Sequence, residues 1–136
     1  MIKKQKEPSV KQLGVQLGGL LLDKGWYVST AESCTGGWIS KIITDVPGSS
    51  QWFNCSFVTY SNEAKRSILN VSSVILKKFG AVSEEVALEM ANGLLELGHS
   101  NVALSVTGVA GPDGGTDEKP VGMVCFGLCV KGLSCV

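Results

Sequence analysis

The sequence predicts an α/β fold arranged as a three-layer domain. Apolar, strand-like runs alternate with segments whose apolar residues recur at helical spacing, an order that lays helices on both faces of a sheet. Three polar clusters, after Thr30, Tyr60 and Val106, each follow a strand run. Sheets of this kind gather ligands at the carboxyl ends of their strands, so the three clusters can converge on one edge. With 136 residues, 44% hydrophobic and 18% charged, the chain suits one packed domain over residues 1–136. No internal repeat or linker interrupts it.

The opening helix is read from Val10, Leu13, Leu17, Leu20 and Leu21, which recur at helical spacing. Gly14, Gly18 and Gly19 weaken it or let it pack closely on a neighbour, and Lys24-Gly25 stops it. Trp26 to Thr30 is the first strand. A second helix runs from about Gly37 to Ile43 and ends at the turn-forming stretch Asp45 to Ser50. Ser56 to Tyr60 is the second strand, and Ser61 or Asn62 caps the helix Glu63 to Leu69. A short helical turn, Val74 to Phe79, stops at Gly80. Ser83 caps a long helix with Glu84 and Glu85 in its first turn and an apolar face of Val86, Met90, Leu94 and Leu97. Asn101 to Val106 is a buried strand, Gly108 to Pro120 a loop, and Val121 to Val130 the last strand.

Composition excludes several function classes. Twelve basic residues balance twelve acidic ones, which argues against a nucleic-acid partner held by charge. Lys3-Lys4-Gln5-Lys6 reads as a solvated terminus. No apolar segment follows it as in a signal peptide, and no apolar run approaches a membrane span. The five cysteines form no CxxC pair and His99 is the only histidine, so no zinc pattern is present. The cysteines are read as reduced thiols that pack as small apolar groups, and the protein as cytoplasmic. His99 lies in a helix-to-strand turn, and with no glycine-flanked serine elbow a Ser-His-Asp triad is excluded.

Chemistry concentrates in three stretches. In Glu32-Ser33-Cys34-Thr35-Gly36-Gly37, hydroxyls and two glycines sit where a strand hands over to a helix. Free N–H groups and the positive end of the dipole there suit a phosphate or an activated nucleophile. Simple capping needs one hydroxyl, not this set. The spacing is neither a P-loop nor a GxGxxG fingerprint. Cys34 competes with Ser33 as nucleophile, since a helix N-terminus lowers a thiol pKa; its plain reading is a packing residue. In Tyr60-Ser61-Asn62-Glu63-Ala64-Lys65, a partly desolvated Lys65 serves as a base without histidine; its plain reading is a solvated helix lysine. Thr107-Gly108 opens a loop with four glycines in nine positions, which permits close backbone approach to a ligand. Asp117, Glu118 and Lys119 at its end read as solvated.

Taken together, AESCTGGW, GSSQWF, FVTYSNEAK, GAVSEEVA and SVTGVAGPDGGTDEKPVG closely resemble the C-terminal domain of the competence-damage-inducible protein family. Its stand-alone members are nicotinamide-nucleotide amidases. The resemblance covers about Val10 to Gly127, in five motifs in order. It implies an α/β/α fold with a mixed, largely parallel sheet. It also implies hydrolysis of the carboxamide of nicotinamide mononucleotide to nicotinate mononucleotide and ammonia, a step of pyridine-nucleotide salvage, with no metal or other cofactor.

The family's serine falls on Ser33 and its tyrosine and lysine on Tyr60 and Lys65. Its glycine pair falls on Gly36 and Gly37, and the threonine of its glycine loop on Thr107. Catalysis is thus expected from Ser33 as nucleophile with Lys65 and Tyr60 as acid–base pair. Substrate contacts are expected from Glu32, Thr35, Gly36, Gly37, Asn62, Thr107 and Gly108. Members vary at the Cys34 position. The expected partner is a small-molecule nucleotide, with no nucleic acid and no membrane, in a homo-oligomer with a dimer favoured. The family continues with a further strand, a C-terminal helix and an arginine in a Gly-Asp-Arg segment, whereas Lys131 to Val136 resembles none of these. That departure sets a second expectation beside the enzyme: a nucleotide-binding homologue with weak or no activity.

Overall fold

The computed structural model describes residues 7–136; the lysine-rich stretch at 3–6 lies outside the described residues. The elements run α1 (Val10–Lys24), β1 (Val28–Glu32), α2 (Trp38–Thr44), a 3-10 turn (Ser49–Gln51), β2 (Phe53–Val58), α3 (Asn62–Leu69), α4 (Ser73–Phe79), α5 (Glu84–Glu96), β3 (Val102–Gly108) and β4 (Val124–Val130). The strands form one sheet in the order β2-β1-β3-β4. β1 is parallel to both β2 and β3, and β4 is antiparallel to β3, so the sheet is mixed and largely parallel.

Side-chain parity separates the two faces. Successive strand residues point to opposite sides. On β1, Val28 joins one core with Leu21, Ile43, Val46 and Trp52, while Ala31 joins the other with Leu69, Val86, Met90 and Leu94. On β3, Ala103 belongs to that second core, and its neighbour Val102 packs against the first. Helices α1 and α2 therefore cover one face and α3, α4 and α5 the other. Among the described residues no helix is long and apolar enough to cross a membrane.

Three expectations change. The buried face of α1 takes only Leu17 and Leu21 from the leucine stripe. Gly14, Gly18 and Leu21 are buried, whereas Val10, Leu13 and Leu20 are exposed. A Cβ on Gly18 would lie 2.7 Å from the Trp52 indole, and one on Gly14 would lie 3.1 Å from Val46. The helix seats a tryptophan in a glycine seam. Strand β2 begins at Phe53, three residues earlier than expected, because it pairs alongside β1 from Val28 onward. The expectation of five reduced thiols is corrected at one pair: Cys129 and Cys135 form a disulfide. Val136 exchanges two main-chain hydrogen bonds with Leu128, and this fold-back returns Cys135 to β4.

The face of β4 turned away from α5 carries Val124, Phe126 and Leu128, all exposed. Its other face is tightly filled: a Cβ on Gly127 would lie 2.4 Å from the Ala87 carbonyl oxygen of α5.

Candidate active site

The same parity builds the site. At the carboxyl end of β1, Glu32 points to the α2 side and Ser33, one residue on, to the α3 side. Each finds a different partner.

Glu32 is fully buried. Its Oε2 accepts from the Ile39 amide at 3.0 Å and the Thr35 hydroxyl at 2.7 Å. Its Oε1 accepts from the Ser40 amide at 2.8 Å and from the Thr30 hydroxyl at 3.3 Å. Burial alone would raise this carboxyl, but hydrogen bonds from Thr35, Ser40 and Ile39 outweigh it and hold the pKa below its ordinary value. Glu32 thus supplies, from within the chain, the anion that the start of α2 attracts.

The polar atoms of Glu32 and the Thr35 hydroxyl, both expected to contact substrate, are engaged with each other and with α2. Two of the amides there are engaged. The Gly36 amide donates to the Ser33 carbonyl at 3.0 Å and the Trp38 amide to the Thr35 carbonyl at 3.0 Å. Gly36 and Gly37 instead make the turn: their φ values of 59° and 99° lie in the left-handed region open to glycine.

Replacing Glu32 tests this brace. Glu32→Gln is expected to cost about 2–3 kcal/mol at neutral pH, the range for hydrogen bonds to a buried charge, as read by urea unfolding. A carboxyl with a depressed folded pKa contributes stability above its unfolded pKa and loses it as pH falls through the folded value. The gap between wild type and variant therefore closes in acid; a gap constant with pH contradicts this role.

Ser33 is 7% exposed, and its amide donates to the Val106 carbonyl at 3.0 Å, anchoring it to β3. Its Oγ lies 2.9 Å from Lys65 Nζ. Lys65 is 1% exposed, on the inner face of α3. That helix starts where it does because Ser61, not Asn62, caps it by accepting from the Ala64 amide at 3.0 Å. The Thr59 amide donates to the Glu32 carbonyl at 2.8 Å, which holds the strand-to-helix turn against β1. Within that turn Lys65 Nζ donates to the carbonyls of Thr59, at 2.8 Å, and Tyr60, at 3.3 Å.

These contacts constrain the protonation chemistry. Carbonyl oxygens only accept, so Lys65 must give an N–H to each. An ammonium gives its third N–H to Ser33 Oγ; a neutral amine has only two N–H groups and turns its lone pair to that hydroxyl. Burial pushes the Lys65 pKa below its ordinary value, opposed in part by the nearby Cys34 thiol. Among the described residues the only ion pair is Lys41–Asp45, so no carboxylate restores the charge of Lys65. A buried, unpaired lysine beside a hydroxyl suits a base that activates a serine.

The remaining expected residues are distributed around this pair. Tyr60 meets Lys65 through its main-chain carbonyl, while its ring is 70% exposed. The acid–base pair expected of Tyr60 and Lys65 is thus joined by backbone, not by the phenol. Asn62 is exposed on the first turn of α3. Thr107, expected to contact substrate, is buried, and its hydroxyl donates to the Ala81 carbonyl at 2.8 Å, which ties β3 to the loop before α5. Gly108 lets the chain pass close to the site, since a Cβ there would lie 3.0 Å from Cys34 Sγ and 2.6 Å from the Met123 carbonyl oxygen. Burial raises the Cys34 pKa, and its own amide, that of Thr35 and Lys65 offset this only in part, so the lowering expected from the helix terminus is overturned. Lys119, expected to be solvated, is half-buried and donates to the Phe79 carbonyl.

Sequence reasoning missed Thr59. Its contribution is a carbonyl, which every residue carries, so no signal in the residue type could have found it.

The chain is similar to known proteins over most of its length. The family described as the CinA C-terminal domain matches residues 10–136. The nicotinamide-nucleotide amidohydrolase PncC of Enterobacter agglomerans is 55% identical over 125 residues, 92% of this chain and 76% of that protein. A putative competence-damage inducible protein of Symbiobacterium thermophilum is 58% identical over 116 residues, 85% of this chain and 27% of that much longer protein. The crystal structure of the competence/damage inducible protein CihA from Agrobacterium tumefaciens superposes with a TM-score of 0.91 at 42% identity, covering 97% of this chain and 81% of that one.

Proposed function

The chain belongs to the CinA C-terminal domain family, and on that premise we propose that it hydrolyses the carboxamide of nicotinamide mononucleotide to nicotinate mononucleotide and ammonia. The observation that carries the mechanism is the 2.9 Å contact between Ser33 Oγ and a buried, carbonyl-tethered Lys65 Nζ. The amidohydrolase name of a 55% identical relative supports the choice of substrate.

In the proposed reaction Ser33 Oγ attacks the amide carbon while neutral Lys65 takes its proton. Lys65, now an ammonium, returns that proton to the amide nitrogen as the C–N bond breaks and ammonia leaves. A nicotinoyl ester on Ser33 remains. Lys65 then takes a proton from water attacking the ester and gives it to the departing Ser33 Oγ. The carboxylic acid product ionises in water. The Cys34 and Thr35 amides, which follow Ser33 and make no main-chain hydrogen bond among the described residues, are the donors proposed for the oxyanion. The Tyr60 phenol has no internal hydrogen bond among the described residues and remains available to share the proton transfer.

Ammonia release from nicotinamide mononucleotide by the purified chain tests the proposal. Turnover is expected. Measurable nucleotide binding without ammonia would overturn it in favour of a nucleotide-binding homologue. The same reading carries a cytoplasmic enzyme working as a homo-oligomer, with a dimer favoured, and a light-scattering mass checks the assembly.

A further inference from the structure

We infer that Lys119 is a positioning residue for the candidate active site: it fastens the far end of the glycine loop to α4 and so holds Gly108 against the residue that follows Ser33. The inference rests on the amidase reading above and deepens it. The loop that joins β3 to β4 carries Gly111, Gly114 and Gly115. Glycine gives the backbone more freedom than any other residue, so such a loop keeps one shape only with outside anchors. It has two, and both reach the connector between α4 and α5. That connector presents three successive carbonyls. The Ala81 carbonyl accepts from the Thr107 hydroxyl, at the entry to the loop, at 2.8 Å. The Gly80 carbonyl accepts at 2.9 Å from Ser83, the residue that caps α5. The Phe79 carbonyl accepts from Lys119 Nζ, near the exit of the loop.

From Lys119 a continuous set of contacts leads to the site. The turn that carries it closes on itself: the Thr116 amide donates to the Lys119 carbonyl at 2.9 Å, and the Lys119 amide to the Thr116 hydroxyl at 3.0 Å. The neck of the loop closes where the Gly122 amide donates to the Val109 carbonyl at 2.8 Å and the Val109 amide to the Met123 carbonyl at 2.9 Å. One residue before Val109 is Gly108, so close to the Ser33 turn that a Cβ on it would lie 3.0 Å from Cys34 Sγ. The neck therefore rests on the residue whose amide is proposed to receive the oxyanion. Glu84, Glu85 and Glu118 line the cavity beside Lys119, yet among the described residues none forms a salt bridge with it. Its ammonium goes instead to the last carbonyl of α4, at the end where a helix dipole favours a cation and carbonyls lack partners.

Lys119→Met keeps the stem and removes the donor. Its kcat for ammonia release is expected to fall roughly tenfold to a hundredfold with KM little changed, the scale of a small displacement at the reacting atoms. Lys119→Arg, which keeps a cationic donor, restores most of it. Lys78→Met is the control: Lys78 borders the same cavity but lies over the Phe79 ring and not on the loop, so kcat stays at the wild-type value. A wild-type kcat in folded Lys119→Met overturns the inference, even where the thermal midpoint falls. Alkylation of Cys34 by iodoacetamide, followed by peptide mass, reads the Gly108 contact without any turnover. The Cys34 rate is expected to rise in Lys119→Met and not in Lys78→Met, while Cys55, on β2, reacts at an unchanged rate. An unchanged Cys34 rate overturns the inference. If the wild-type chain releases no ammonia, the amidase reading fails, and the alkylation rates alone decide whether Lys119 holds the loop on the site.

Discussion

Ser33→Ala is expected to lower kcat for ammonia release by at least about a thousandfold, with little change in KM, because removing one member of a catalytic pair disables the pair as a unit. The variant loses one oxygen atom from a nearly buried site. The Ser33 amide keeps its bond to Val106, and the Glu32 brace on α2 does not involve the serine hydroxyl. The fold should therefore persist, with a thermal midpoint close to that of the wild type. Normal turnover in Ser33→Ala sinks the nucleophile assignment and leaves water as the direct attacker.

Lys65→Met is expected to have an effect of the same size. Ser33 Oγ then has no base, since among the described residues its only hydrogen-bond partner is Lys65 Nζ. The double variant should be scarcely worse than either single one, because a nucleophile without its base and a base without its nucleophile fail alike. Lys65→Arg should not rescue, since a guanidinium stays charged and offers no lone pair.

The wild-type pH profile carries the sign of the mechanism. In the proposed reaction the working form of Lys65 is the neutral amine, so kcat is expected to rise with pH through its pKa and then level. Burial places that midpoint below the ordinary lysine range. A rate that climbs only where free lysine titrates contradicts the role of burial.

The meeting of Ser33 and Lys65 was largely legible in the sequence, because each follows a strand run and strand ends are where such sheets gather polar groups. The alternation of elements was legible for the same kind of reason: periodicity reports which side chains face a core. What escaped depended on partners distant in the chain or on boundaries set by pairing. Reading the first strand as ending at Thr30 left Glu32 in a loop, where an acid looks ready for a ligand. The strand ends at Glu32, and pleating then sends Glu32 and Ser33 to opposite faces.

Thr107 escaped similarly, since its acceptor, the Ala81 carbonyl, is 26 residues away. In α1 the leucine stripe misled because hydrophobic periodicity weighs side chains that are present. The close contacts with Trp52 and Val46 depend on side chains that are missing, at Gly18 and Gly14. The disulfide escaped because a spacing of six positions between two cysteines says nothing until the fold-back at Val136 is known.

The proposed chemistry depends on a Lys65 amine that gives up its proton easily and faces Ser33. Selective isotope labelling of lysine side chains, with Lys65→Met to assign the signal, lets NMR follow its titration directly. Lys65 is predicted to titrate below the ordinary lysine value of about 10.4, at the same midpoint as the rise in kcat. Titration at or above that value would show a lysine that stays charged at neutral pH, and would contradict its role as the base for Ser33.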